Sequence, residues 1–308
     1  MWKYILKRLV ALIPVIVGVT LIVYFIMSLA PGDPATTILG DQATPEAIAK
    51  LREEMGLNDP IIVQYARYMF NLCKGDMGTS YKTKKPVSIE VFSRFPATAK
   101  LSVISILIST VIAIPLGMLA AVKQNSFFDG FSMILALLGI SMPIFWFGVL
   151  EQLLFSLKLG WLPSSGNDYW YSIILPAVAL GLHNIASTAR ITRSSMLETI
   201  RQDYIRTARA KGVPYSTVIK KHALRNALLP TVTVLGIQIG ELLGGSTLTE
   251  TVFAWPGMGR FMVASISGRD IPSVLGCIII FTVCFSVCNL IVDLLYGFID
   301  PRIKAAYK

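Results

Sequence analysis

The sequence predicts an all-α polytopic membrane protein of six transmembrane helices, with a small extracytoplasmic helical insertion after the first. Three observations predict it. The 308 residues are 54% hydrophobic and only 15% charged, with a mean hydropathy of +0.63, whereas a soluble domain carries about 25% charged residues to keep its surface wet. Apolar runs recur at the length a helix needs to cross a ~30 Å hydrocarbon layer, roughly 20 residues at 1.5 Å each. Basic residues gather beside alternate runs, the pattern of short cytoplasmic loops.

The first span, Leu9 to Ala30, follows a basic start and ends on the small-x-small triplet Ser28-Leu29-Ala30, the outline of a secretory signal. Its apolar run exceeds the ~7–15 residues of a signal, and Pro31 would obstruct a protease at the next bond. An uncleaved first helix over 1–30 is therefore expected. Pro31-Gly32-Asp33-Pro34 breaks the backbone ladder and opens the insertion, 31–100. Within it, Pro45 to Met55 and Ile61 to Leu72 carry helical periodicity, separated by the stop Gly56-Leu57-Asn58-Asp59-Pro60.

The remaining spans form a core over 101–300. Leu101 to Val122 and Gly130 to Leu157 flank a short turn at Asn125 to Asp129, so they should pack as an antiparallel pair, interrupted by Pro115 and Pro143. Ser172 to Ala189, Ala227 to Thr249 and Val274 to Ile299 complete the six, and Asp300-Pro301-Arg302 ends the last helix before the tail 301–308. Lys3, Lys7 and Arg8, then Lys123, then Arg190 to Arg225, then Arg302, Lys304 and Lys308 all fall on one side. Both termini are expected in the cytoplasm of a multi-pass cell-membrane protein. The same distribution accounts for the net charge of +10 without nucleic acid, since no aromatic-interleaved basic face accompanies it.

One stretch departs from the apolar background: Asp203 to Pro230, inside the cytoplasmic loop 190–226. Asp203 reads as a helix N-cap, Tyr204 to Lys211 as two turns, Gly212 as the stop and Pro214 as the first turn of a second short helix, Tyr215 to Asn226. Two short helices meeting at a fixed corner make a docking surface.

Catalytic chemistry is sparse. No Walker A pattern and no HExxH occur, and there are two histidines, His183 and His222. Cys277, Cys284 and Cys288 share a helical stripe that could ligate a soft metal, but small-residue packing explains them better, and Ser286, Asn289 and Asp293 form the opposite stripe, expected to face the protein interior. Cys73 stands apart. Of the membrane carboxylates, Glu241 shares a face with Gln238 and Gly245, about 12 Å inside the outer end of its span. Two readings stay open for it: contact with a substrate ammonium, or an interhelical hydrogen bond from the protonated acid. Glu151 and Asp293 are weaker candidates for the same pathway.

Arg206-Thr207-Ala208-Arg209-Ala210-Lys211-Gly212 followed by His222-Ala223-Leu224-Arg225-Asn226-Ala227-Leu228-Leu229-Pro230 resembles the cytoplasmic EAA loop of ABC importer permeases. The chain is most similar to the dipeptide, oligopeptide and nickel branch. Pro31-Gly32-Asp33-Pro34, Gly75-Asp76-Met77-Gly78-Thr79-Ser80, Trp255-Pro256-Gly257-Met258-Gly259 and Asp300-Pro301-Arg302 stand where that branch has its motifs. Arg206 replaces the Glu that begins the general motif, while Ala208 and Gly212 match it.

The resemblance implies a type I importer permease fold and uptake of small peptides, with nickel or glutathione as alternatives inside the family. It implies a homologous second permease, two ATPase subunits that hold ATP and Mg, an extracytoplasmic binding protein, and no cofactor in this non-catalytic chain. Tyr204, Arg206, Thr207, Ala208, Arg209, Ala210, Lys211, Gly212, Val213 and Pro214 then carry ATPase coupling. An ion-coupled secondary transporter would instead need its own coupling-ion site, and the inverted repeats that would support it are not evident; an intramembrane enzyme would need a nucleophile with its base or a metal cluster, neither of which is evident.

Overall fold

The computed structural model describes residues 2–29, 32–40 and 43–299. Ala30, Pro31, the stop Asp300-Pro301-Arg302 and the tail 301–308 lie outside the described residues. Five helical stretches are long and apolar enough to cross a bilayer: Tyr4–Leu29, Val87–Val122, Trp170–Ile200, Tyr215–Gly244 and Ile271–Leu295. The remaining expected span, Gly130 to Leu157, is broken in two, so the six-span count holds with one discontinuous member.

Helix α1 (Trp2–Leu29) is followed by the insertion helices α2 (Pro34–Leu39), α3 (Pro45–Glu54) and α4 (Ile61–Cys73). Their starts follow from local chemistry. Asp33 accepts from the Ala35 N–H at 3.2 Å and Thr44 from the Ala47 N–H at 3.3 Å, each with proline at the first helical position. Helix α4 is anchored on α1: the Tyr65 hydroxyl donates to the Val17 carbonyl at 2.8 Å and Tyr24 donates to Gln64 at 2.9 Å.

Helix α5 (Val87–Val122) starts well before the expected Leu101, so the end of the insertion is continuous with the second span. Pro86, pre-set in φ and lacking an N–H to place, fixes that start. The third span divides into α6 (Phe127–Ser141) and α7 (Ile144–Glu151), which runs on as a wide π turn, Gln152–Lys158. The break is at Pro143, whose ring cannot continue the ladder of α6.

Helix α8 (Ile174–Ile200) is the centre of the molecule: 67% of its apolar window is buried, against 11% for peripheral α1. It packs parallel to α5. A Cβ on Gly181 would lie 3.3 Å from the Ser105 carbonyl, and one on Gly117 would lie 2.5 Å from the Ala189 carbonyl, so the backbones approach as closely as small residues permit. The short helix α9 (Asp203–Ala210) is followed by α10 (Tyr215–Thr217), a π segment Val218–Ala223 and α11 (Leu224–Gly245). The expected second short helix is thus no separate element; it runs without a gap into the fifth span. Beyond it lie α12 (Thr247–Val252), α13 (Met258–Ser267) and α14 (Ile271–Ile299).

Coupling corner, membrane groove and outer latch

At the basic end of the bundle, α9 lies on a buried cluster of Met196, Ile205, Val218, Ile219, Ala223 and Ala227, which joins it to α8 and to the base of the fifth span. Gln202, not Asp203, occupies the N-cap position; Asp203 is the first helical residue, where a carboxylate favours the positive end of the helix dipole. Gly212 has φ of +76°, the left-handed conformation that ends a helix with least strain, and its N–H donates to the Arg209 carbonyl at 2.9 Å. Val213 follows half-buried, and Pro214 caps the next helix. Asn226 donates to the Tyr204 hydroxyl at 3.0 Å, tying the two arms of the corner together.

Within α9 the expected coupling residues divide by exposure. Tyr204, Arg206, Thr207, Arg209, Ala210 and Lys211 face solvent, while Ala208 is half-buried and packs toward the cluster beneath. Arg209 places its guanidinium over the Tyr215 ring, 5.4 Å from the centroid, inside the ~6 Å reach of a cation–π contact. The Asp203–Arg206 pair, at 3.7 Å, is fully solvated and contributes little.

Within the membrane, α1, α11 and α14 border an open groove of about 930 Å³. Glu241, Ser286, Asn289 and Asp293 line it, so the polar stripe of the last span does face a cavity. Glu241 is exposed there and has no hydrogen-bond or ion-pair partner among the described residues. Asp293 is occupied: it accepts from Tyr4 at 2.8 Å and pairs with Arg8 at 2.7 Å, pinning α14 to α1.

Gln238 does not join Glu241. It is buried against α8, accepting from the Thr188 hydroxyl at 3.1 Å, and Thr192 and Thr231 meet at 3.1 Å in the same seam. The expected shared face fails because residues three apart on a helix diverge by about 60°, enough here to aim one at a neighbour and the other at the groove. Gly245 closes α11. Cys277 is packed among Val87, Val91, Met258 and Phe281, while Cys284 and Cys288 are half-buried.

Three polar centres escaped the sequence reading. Glu250, fully buried on α12, accepts from Thr98 at 2.7 Å, Ser246 at 2.9 Å and the Arg260 backbone N–H at 3.0 Å. Gly257 and Gly259 leave space for this carboxylate, because a Cβ at either would collide with it. Trp255 donates its indole N–H to the Ala97 carbonyl at 3.0 Å, so the Trp-Pro-Gly-Met-Gly segment is latched to α5. Asp270, also buried, accepts from Ser80 at 2.5 Å, Ser273 at 2.7 Å and the Tyr81 N–H at 3.0 Å. At the other end of the molecule, Arg193 binds Asp129 through two hydrogen bonds. Each joins residues remote in sequence; a buried-carboxylate signal was present only as an acid beside a glycine-rich turn.

A polytopic helical bundle with an exposed basic corner and a groove along its spans fits a membrane permease. Residues 113–305 match the family model described as binding-protein-dependent transport system inner membrane component, and residues 1–102 match the N-terminal model of such membrane components. The chain belongs to this family of ABC importer permeases. It is 47% identical over 332 aligned residues to the dipeptide transport system permease protein DppB of Alkalihalophilus pseudofirmus, covering 99% of this chain and 100% of that protein. It is 44% identical to the glutathione transport system permease protein GsiC of Salmonella typhimurium and 42% identical to that of Escherichia coli K12, covering 99% of each chain in both cases.

Two solved structures share the fold. An amino acid ABC transporter with histidines aligns at TM-score 0.52 and 16% identity, covering 70% of this chain and 94% of that one. The inward-facing MetNI methionine ABC transporter aligns at TM-score 0.54 and 20% identity, covering 66% and 95%.

Proposed function

We propose that this chain is the membrane-spanning subunit of an ATP-driven importer of small peptides, with both termini in the cytoplasm. The observation that carries the reading is the full-length match to a dipeptide permease, 47% identical from end to end. In this reading a homologous permease pairs with the chain, two ATPase subunits bind ATP and Mg and perform hydrolysis, and an extracytoplasmic binding protein delivers substrate.

The exposed face of α9 docks into the ATPase, where Arg206, Arg209 and Lys211 meet acidic side chains. The corner at Gly212 and Pro214 passes the resulting movement directly to α11, since no loop separates them. Movement of this kind requires contacts that differ between the two ATPase states. The groove beside α11 is the substrate path: Glu241 receives the peptide ammonium, and Ser286 and Asn289 supply neutral hydrogen-bonding groups.

A glutathione importer is the second reading, favoured by 44% identity to GsiC over essentially the same length. Glutathione also presents an ammonium and an amide backbone, so the groove chemistry is unchanged.

The test is ATP-dependent uptake by the reconstituted complex, comparing a labelled dipeptide with labelled glutathione. Peptide uptake with ATP turnover intact supports the first reading; transport of glutathione alone overturns it. Ala210→Arg, at an exposed position, should abolish uptake while ATP is still hydrolysed. Ala208→Arg adds a packing defect at the half-buried site. Normal uptake in Ala210→Arg would sink the docking assignment.

A further inference from the structure

The Gly75-Asp76-Met77-Gly78-Thr79-Ser80 motif opens a hairpin that the transport reading leaves without a task. Thr79 bridges to Pro86, the Ser80 N–H donates to the Lys85 carbonyl at 2.9 Å, and the Lys84 N–H donates to the Ser80 carbonyl at 3.0 Å. Lys84 itself is held at φ of 59°. Asp76 accepts from the Gly78 N–H at 2.8 Å at the entry. The base is fixed to α14 by the buried Asp270, which grips both Ser80 and Tyr81. A turn that merely connected α4 to α5 would not need a buried carboxylate at its base.

What the anchor holds out is Lys82, Lys84 and Lys85, all exposed and none in an ion pair among the described residues. By the charge-derived topology this hairpin is extracytoplasmic, where basic clusters are not topologically favoured. In that topology the length of α5 also carries it past the lipid headgroups. The 36 residues of α5 rise about 54 Å, roughly 10 Å more than a bilayer with its headgroups. The excess lies on the hairpin side, because Glu90, Arg94 and Lys100 occupy the outer part of α5 while Leu101 to Val122 is uncharged.

We propose that the Lys82-Lys84-Lys85 hairpin is a docking contact for an acidic face of the substrate-binding protein. The inference rests on the reading that such a protein serves this permease, as the family description implies. Preset cationic side chains steer a soluble partner and fix its register more than they add affinity, and a rigid turn loses little entropy when they engage.

The test measures association of that binding protein, the one required for uptake, with the complete complex in phosphatidylcholine nanodiscs. The triple variant Lys82→Gln, Lys84→Gln, Lys85→Gln should lower the association rate roughly tenfold and flatten its salt dependence. The corresponding triple Arg variant should retain both. Equal association by wild type and the Gln variant overturns the hairpin assignment while leaving the transport reading intact. So does a Gln variant that loses only its affinity for phosphatidylglycerol vesicles. A wild-type complex that recruits no binding protein overturns both.

Discussion

Arg193 holds Asp129 in a two-pronged grip, with Nε 2.5 Å from one carboxylate oxygen and an Nη 2.7 Å from the other. The pair clamps the first turn of α6 to the C-terminal half of α8, ten residues before α9 begins. Because Asp129 is 93% shielded at its side chain and Arg193 is three-quarters shielded, removing one partner strands the other. Asp129→Asn and Arg193→Met should each destabilise the chain by about 3 kcal/mol, and the double variant should cost less than the two single losses added together. Thermal unfolding of the solubilised complex checks this.

The same pair sets a pH dependence. The Arg193 guanidinium holds the Asp129 carboxyl below its ordinary value of 3.8. A depressed folded-state value means that the contribution is present above the unfolded value and is lost as pH falls through the lower, folded one. Between pH 5 and 8 the clamp should add a constant stability, so wild type and Asp129→Asn should give parallel melting profiles there. They should converge only in strong acid.

Glu250→Ala should strand the Thr98 and Ser246 hydroxyls and the Arg260 N–H, costing about 3 kcal/mol or more. Gly259→Ala should act through the same latch, since its Cβ would lie 2.6 Å from the Thr247 Cα and 3.0 Å from a Glu250 oxygen. Limited proteolysis between α12 and α13 should be faster in both variants than in wild type.

Gly212 has open space around its missing Cβ, so only its backbone conformation resists substitution. Gly212→Ala should cost about 1 kcal/mol and keep most of the coupling. Gly212→Val, β-branched and far less tolerant of positive φ, should lower the peptide transported per ATP hydrolysed. A Val variant with wild-type stoichiometry would remove the corner from the coupling route.

Glu241→Gln should leave the melting temperature unchanged, because the carboxylate is exposed and bonded to nothing among the described residues. It should reduce kcat/KM for peptide uptake about tenfold, the loss expected for one charged hydrogen bond. Unchanged uptake would move the substrate path away from this groove.

The parts of the fold legible in the sequence were those governed by nearest neighbours. Pro45 and Gly212 announce a helix start and a helix stop through local backbone chemistry, and the apolar runs announce spans. Pro143 was visible as an interruption, but whether a proline kinks a helix or breaks it depends on what surrounds it: Pro96 and Pro115 sit inside a continuous α5, and Pro143 does not. The outer latch was illegible because Glu250 meets Thr98 across 152 positions. The groove was half legible. Ser286, Asn289 and Asp293 were assigned to the protein interior from their spacing and line an open groove, yet the partner that neutralises Asp293 lies on α1, and the one that takes Gln238 away from Glu241 lies on α8.

The close approach of Gly117 to the Ala189 carbonyl joins α5 to α8, two parallel helices separated in the chain by the whole broken third span. Parallel neighbours cannot form a hairpin as they leave the ribosome. Helix α5 must enter the membrane with its seam of Ser102, Ser105, Ser109 and Gly117 uncovered, and wait until α6 and α7 have crossed back and α8 has followed. The interval is a window of vulnerability during biogenesis, when a membrane quality-control protease or an insertion chaperone would meet a helix whose serines have no neighbour. Substitutions in that seam should therefore reduce the amount of permease that accumulates more than they impair the permease that matures.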